Sequence, residues 1–160
     1  MEAVREAVRE ALPVDHQRFA ELLAELVEGI VTQRGGSLLI DPDRRGSGTV
    51  VPPLSELLDD GHRLVLVGTL DDVVTGVMVC HHEDRAGHGR HGVLDACFVE
   101  PEARGVGLGH LLLDSALAWL GSQGCVGVDG AALPGDRAAK SFFEAAGFKA
   151  RVITMHRPLG

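Results

Sequence analysis

Arg104, Gly105, Gly107 and Gly109 stand together in the run RGVGLG, between an apolar, β-prone segment (residues 94–99, LDACFV) and a leucine-rich one that begins at Leu108. Residue types in this order make a seat for an anion. The first turn of a helix carries unpaired N–H groups and about half a positive charge. Glycines let a bulky anion approach those groups with no Cβ in the way, and an arginine adds a full charge with several donors. A phosphate or pyrophosphate is the natural occupant. Spacing excludes two ligand families. The dinucleotide pattern G-x-G-x-x-G, counted from Gly105 and Gly107, meets His110 where its third glycine belongs. The Gly-Lys-Ser/Thr ending of a nucleotide P-loop occurs nowhere in the chain.

The elements that must hold this seat can be read along the chain. The opening repeats Ala3-Val4-Arg5-Glu6 as Ala7-Val8-Arg9-Glu10, a helix-like period. Asp15 is placed to cap a helix whose apolar positions Phe19, Leu22, Leu23, Leu26, Val27 and Ile30 recur at three- and four-residue steps, with Gly35-Gly36 as its stop. Residues 41–53 are rich in turn formers and charges and lead to a short helical piece at 54–58. Residues 63–68 and 73–80 are two β-branched runs joined through Asp71-Asp72, a hairpin. His81, His82, His88 and His91 follow closely; lacking a Cys-x-x-Cys or His-x-x-x-His framework, they read as a solvated hairpin loop and not a zinc site. Beyond the leucine-rich helix, residues 125–133 read as a strand of small side chains, which permits close approach of a ligand or another backbone. Residues 137–146 read as a helix with Ala139, Phe142, Phe143 and Ala146 on one face, and residues 148–156 as a closing strand.

The 160 residues fit one domain spanning 1–160, with no stretch near the ~20 apolar residues that cross a bilayer. The N-terminus alternates charges where a signal peptide would be apolar, so a cytoplasmic protein without membrane contact is expected. Cys80, Cys97 and Cys125, odd in number and set in apolar runs, read as reduced core thiols. The net charge of −8 argues against nucleic-acid partners and weakly favours cationic acceptors.

Arg-x-x-Gly-x-Gly after a strand, as Arg104, Gly107 and Gly109 behind Val99-Glu100-Pro101, resembles the cofactor signature of the GNAT superfamily of N-acetyltransferases. A second family motif, Asn-x-x-Ala-x-x-Phe-Tyr-x-x-x-Gly-Phe, is similar to residues 136–148, with Asp136 in place of the asparagine and Phe143 in place of the tyrosine. The order of elements matches over nearly the whole chain. The resemblance implies an α/β fold: a mixed, mostly antiparallel sheet of six to seven strands flanked by about four helices. It also favours a strand at residues 8–11, where the period alone suggested a helix.

What the resemblance implies chemically is direct attack of a primary amine, on a small molecule or peptide, upon the acetyl group of acetyl-CoA. By position, the backbone of Cys97, Phe98 and Val99 would pair with the pantetheine arm and polarise the thioester oxygen. Arg104, Gly105, Val106, Gly107, Leu108 and Gly109 would take the pyrophosphate. Asp136 would lie near the pantetheine, unless it is a plain N-cap. Neutralising a lysine-like ammonium near pH 7.4 costs about 4 kcal/mol, against ~1.5 kcal/mol for expelling the CoA thiolate, so the base matters more than the acid. That ordering bears on Phe143, which fills the position of the family's tyrosine acid in a chain with no tyrosine at all. Asp95 interrupts an apolar strand four residues before Val99 and, by strict alternation, shares a side of the pleat with Cys97 and Val99. Buried there it would serve as the general base, bind the acceptor's ammonium, or pair with an arginine. Segments between the first helix and second strand shape the acceptor pocket in the family, which brings in Arg44 and Arg45, otherwise solvated loop charges. Homodimers are common in such proteins, though no segment here demonstrates one. The two substitutions at 136 and 143 leave a different class open, an acyl-CoA-binding module with little catalysis.

Overall fold

The computed structural model describes residues 3–40 and 51–160; Arg44 and Arg45 lie outside them. Among the described residues there are five strands, β1 (Glu6–Glu10), β2 (Arg63–Leu70), β3 (Val73–Arg85), β4 (Gly89–Val99) and β5 (Gly127–Asp129). Five helices accompany them, α1 (His16–Val31), α2 (Gly36–Leu39), α3 (Leu54–Leu58), α4 (Leu108–Ser122) and α5 (Arg137–Ala145). The strands form one sheet in the order β1-β2-β3-β4-β5. The first four are antiparallel to their neighbours, and β5 joins β4 in parallel after the crossover through α4.

Alternate residues of the central strands feed two cores. Val65, Val67, Val77, Val79 and Ala96 pack with Phe19 and Leu22 of α1 and with Leu54 and Leu57 of α3. Leu64, Leu66, Met78, Cys80 and Leu94 pack on the other face with Leu108, Leu112, Leu113, Ala116 and Leu120 of α4. Strands covered on both faces have no polar side to show, which is why β2 and β3 read as unbroken apolar runs. The β2–β3 turn falls on Asp71 and Asp72, at φ 47° and 66°, a left-handed pair that aspartate tolerates. Arg5 ties the turn to β1, its N–H donating to Asp71 Oδ1 at 3.0 Å and its guanidinium pairing with Asp72.

α4 rests directly on backbone. A Cβ at Gly68, Gly76 or Gly92 would lie 2.9, 3.1 or 2.7 Å from the side chain of Leu108, Leu112 or Leu120. One glycine in each of β2, β3 and β4 thus receives one leucine, bringing the helix closer to the sheet than any side chain would allow.

Several expectations are corrected by the structure. The sheet has five strands, not six to seven. The strand expected over residues 125–133 shrinks to β5, because Ala131 and Leu133 turn away to pack with Ile30 and Leu39. The closing strand is absent: residues 149–160 form neither helix nor strand, and Val152, Ile153 and Met155 are exposed. Arg151 reaches Asp129 of β5, and that strand, three residues long, gives the segment little length to pair with. The histidine segment is largely sheet, with His81 and His82 inside β3 and His91 inside β4; only residues 86–88 form the turn. α1 stops at Val31, and Gly35, at φ 81°, starts α2 instead of ending α1. Asp15 precedes α1 but gives it no side-chain cap. Its carboxylate accepts both guanidinium nitrogens of Arg9 at 2.7 and 2.9 Å and the N–H of Leu12 at 2.8 Å. These contacts hold that carboxyl below the usual range. No helix among the described residues is long and apolar enough to cross a membrane.

The seating of α4 predicts that Gly92→Ala destabilises the protein by about 1–3 kcal/mol. Chemical denaturation should show a lower midpoint with an unchanged slope; an unchanged midpoint would mean the helix lifts at no cost.

Candidate active site

β4 is eleven residues long, but β5 accompanies only its beginning, through His91↔Gly127, Gly92↔Val128 and Val93↔Asp129. On the opposite edge β3 stays paired as far as Gly76↔Val99. Residues 94–99 therefore have no strand on their outer edge among the described residues. Gly130 helps explain why β5 leaves: a Cβ there would lie 2.8 Å from the ring of Phe143. Phe143 in turn stacks between Phe142 and Phe148, ring centroids 5.5 and 5.2 Å away. Backbone groups on such an edge need partners, and an extended ligand can supply them as a strand would.

The glycine loop follows at once, and its six residues divide into different tasks. Gly105 and Gly107 have φ 88° and 92°, and a Cβ on either would meet nothing within 4 Å. Gly107 is the N-cap of α4 and brings no side chain to the N–H groups of the first turn. With exposed Val106 these two form the accessible rim. Leu108 is core, and Gly109 is packing, since a Cβ there would stand 3.3 Å from the Phe142 ring. Arg104 is a brace: its Nε–H donates to the Val99 carbonyl at 2.7 Å and its guanidinium lies 5.5 Å from the Phe98 ring centroid. Of the three expected pantetheine-binding residues, Val99 thus has its carbonyl already engaged. Cys97 packs with the α4 core, and burial pushes its thiol up to about 12. Asp136 caps α5, Oδ1 accepting the Ala139 N–H at 3.0 Å.

Asp95 does not share a side with Cys97 and Val99. The register passes from Cys80↔Leu94 to Val79↔Ala96, so Asp95 is an extra residue, a bulge that resets the alternation. Cys97 and Val99 face α4, whereas the Asp95 carboxylate meets residues of the α1 face. Its Oδ2 lies 2.7 Å from His81 Nδ1 and 3.5 Å from Arg63 Nη1. From there ion pairs run both ways. Arg63 Nε reaches Asp60 at 2.9 Å. His81 faces Glu83 at 3.5 Å, Arg85 joins Glu83 at 2.9 Å and Asp129 at 2.7 Å, and Arg151 reaches Asp129 at 3.3 Å. The chain of charges crosses β2, β3, β4 and β5 beside the opening. The hydrogen bond to Asp95 raises the His81 pKa, and Arg85 holds the Glu83 carboxyl low. His82 points to the other face, its ring 5.6 Å from that of Trp119, and burial lowers its pKa.

A parted pair of strands, a Cβ-free helix start beside the part, and a charged cluster behind it define a class of proteins. The model of the Acetyltransferase (GNAT) family matches residues 39–148. The chain belongs to the GNAT family of acetyltransferases. Solved structures agree in fold. A mutant of the BH1408 protein from Bacillus halodurans superimposes with a TM-score of 0.78 at 20% identity, covering 96% of this chain and 99% of that one. The aminoglycoside N-acetyltransferase AAC(6')-Iy in complex with CoA gives 0.72 at 18%, covering 99% and 98%. A Trypanosoma brucei acetyltransferase gives 0.68 at 20%, covering 97% and 100%. No curated protein sequence matches significantly.

Acetyl-CoA is the acetyl donor of this GNAT protein, and the residues present suit it. The rim of Gly105, Val106 and Gly107 leaves room for a diphosphate at the first turn of α4, and the outer edge of β4 offers backbone to an amide-bearing arm. Reading the sequence missed His81 and Arg63. The signal for His81 was available, because Val77, Val79, His81, Glu83 and Arg85 continue one alternating series that the histidines disguised as a loop. The bulge that turns Asp95 had no such signal.

Gly107→Glu places an anion on the rim and a side chain at φ 92°. It should weaken CoA binding at least tenfold by calorimetry; an unchanged Kd would remove the diphosphate from this loop.

Proposed function

We propose that this GNAT protein is an N-acetyltransferase in which a primary amine attacks the acetyl thioester directly. The observation that carries the reading is the division of β4 by its bulge. The donor's binding surface, residues 97–99 and the rim of α4, is continuous with an acidic group, Asp95, that faces the other side of the sheet. Donor and acceptor can then approach from opposite sides and meet at the strand.

Three further facts support it. Cys97 stays a protonated thiol, its pKa pushed up to about 12 by burial, which disfavours an acyl-cysteine route and favours direct transfer. The ion-paired cluster behind the opening brings His81 together with the carboxylates of Asp95 and Glu83 on the acceptor's side of the strand, a polar setting for an amine. Fold relatives include aminoglycoside N-acetyltransferases, so a small polycationic amine is a reasonable acceptor class. Within this reading the outer edge of Cys97, Phe98 and Val99 offers backbone to the pantetheine, Arg104 secures the loop, and the rim of Gly105, Val106 and Gly107 takes the diphosphate at the start of α4. Asp136 and Phe143 border the arm through α5, and Asp95 belongs to the amine's side of the strand.

One observation favours a second reading, an acyl-CoA-binding module. Phe143 sits in an all-apolar stack with Phe142 and Phe148, so no side chain at that position can protonate the leaving sulfur. A thiol leaves as thiolate for only ~1.5 kcal/mol near neutral pH, so the missing acid should slow the reaction without abolishing it.

Incubation with acetyl-CoA and a panel of polyamines, aminoglycosides and lysine peptides, read by release of free CoA thiol, separates the two. Amine-dependent release is expected; tight CoA binding with no release from any amine would favour the module. Asp95→Asn should lower kcat at least tenfold and leave the CoA Kd within twofold.

A further inference from the structure

Asp95 is poorly placed to meet an amine itself. Its side chain is 7% exposed, and the more open His81, at 21%, contacts it at 2.7 Å. A carboxylate only accepts, so Nδ1 of His81 carries the shared hydrogen, and in the neutral ring Nε2 keeps its lone pair. Nε2 faces Glu83 Oε2 at 3.5 Å, a second carboxylate that, like Asp95, favours a proton arriving on that nitrogen. His81 pairs across the sheet with Val93, the last residue β4 shares with β5, and so stands level with the start of the opening.

Resting on the N-acetyltransferase reading above, we propose that His81 takes the proton of the incoming amine, with Asp95 behind it as the positioning carboxylate. The ammonium gives one proton to Nε2, and the freed lone pair forms the C–N bond while the thioester C–S bond breaks with its electron pair on sulfur. The second nitrogen proton ends on the CoA thiolate through solvent, and the imidazolium returns its own to water. The groups facing His81 are Asp95 of β4, Arg63 of β2 and Glu83 of its own strand, with Asp60 and Arg85 one ion pair further out. Asp95 makes the imidazole more basic, so activity should rise with pH through an ionisation above the ordinary histidine range. Arg63 works against that added basicity of the imidazole and, sharing the same carboxylate oxygen, holds Asp95 in place.

The test compares wild type, His81→Gln and Asp95→Asn with acetyl-CoA and spermidine, kanamycin or a lysine peptide from pH 6 to 9.5. It runs beside nitrogen-15 NMR of the histidine rings in the wild type and Asp95→Asn. His81→Gln should lose the rising limb and at least 30-fold in kcat/KM at pH 8, with the CoA Kd within twofold. Asp95→Asn should move the His81 ring titration to lower pH. A His81→Gln protein with the wild-type limb and rate overturns the inference while leaving the N-acetyltransferase reading intact. A His81 titration identical in wild type and Asp95→Asn also overturns it, and that measurement requires neither turnover nor a folded His81→Gln chain. Failure of the wild type to bind CoA would remove the parent reading as well.

Discussion

A strand must satisfy its backbone on both edges, and β4 does so on only one over residues 94–99. Everything else near the site maintains that incompleteness. α5 lays Phe143 over Gly130, the chain after β5 crosses toward Ile30 and Leu39, and Arg104 turns back onto Val99 without closing the edge. Because α4 presses its leucines onto Gly68, Gly76 and Gly92, the Cβ-free start of the helix is held at the end of the same strand. An edge short of partners and a helix start short of acceptors therefore lie side by side, the arrangement on which the proposed donor site rests.

The bulge at Asp95 gives that surface a second side. One extra residue in β4 leaves Cys97 and Val99 toward α4 and sends the carboxylate toward α1, where His81 and Arg63 neutralise it. Without the bulge, Asp95 would lie among the leucines of α4 with no cation to meet. The ion pairs continuing through Glu83, Arg85 and Asp129 tie β3 to β5 across β4, at the end of the opening where the two strands are still paired. Electrostatics and strand geometry are therefore coupled, and loss of one pair is felt at both.

The sequence was most legible where local chemistry decides structure. The three- and four-residue spacing of α1 and α4, the Asp71-Asp72 turn and the glycine loop all follow from short-range rules, and the structure realises them. The motif marked out the glycine loop but could not divide the labour of its residues. That Gly109 accommodates Phe142 depends on how α5 packs from thirty residues away, and that Arg104 braces β4 depends on the loop folding back onto Val99. The misjudged features were long-range. A bulge leaves no mark in a single strand's sequence; polar residues alternating at the end of β3 resemble a loop until their cross-strand ion pairs are known. Residues 149–160 carry the apolar pattern of a strand, yet they form none and leave Val152, Ile153 and Met155 exposed.

The central claim is that the outer edge of β4 is completed by the pantetheine arm, and amide hydrogen exchange reads that edge directly. Addition of saturating CoA should slow exchange of amides within residues 97–99 and at the first turn of α4 at least tenfold, leaving β2 unchanged. Exchange on β4 unaffected by CoA, with protection appearing elsewhere, would contradict the account.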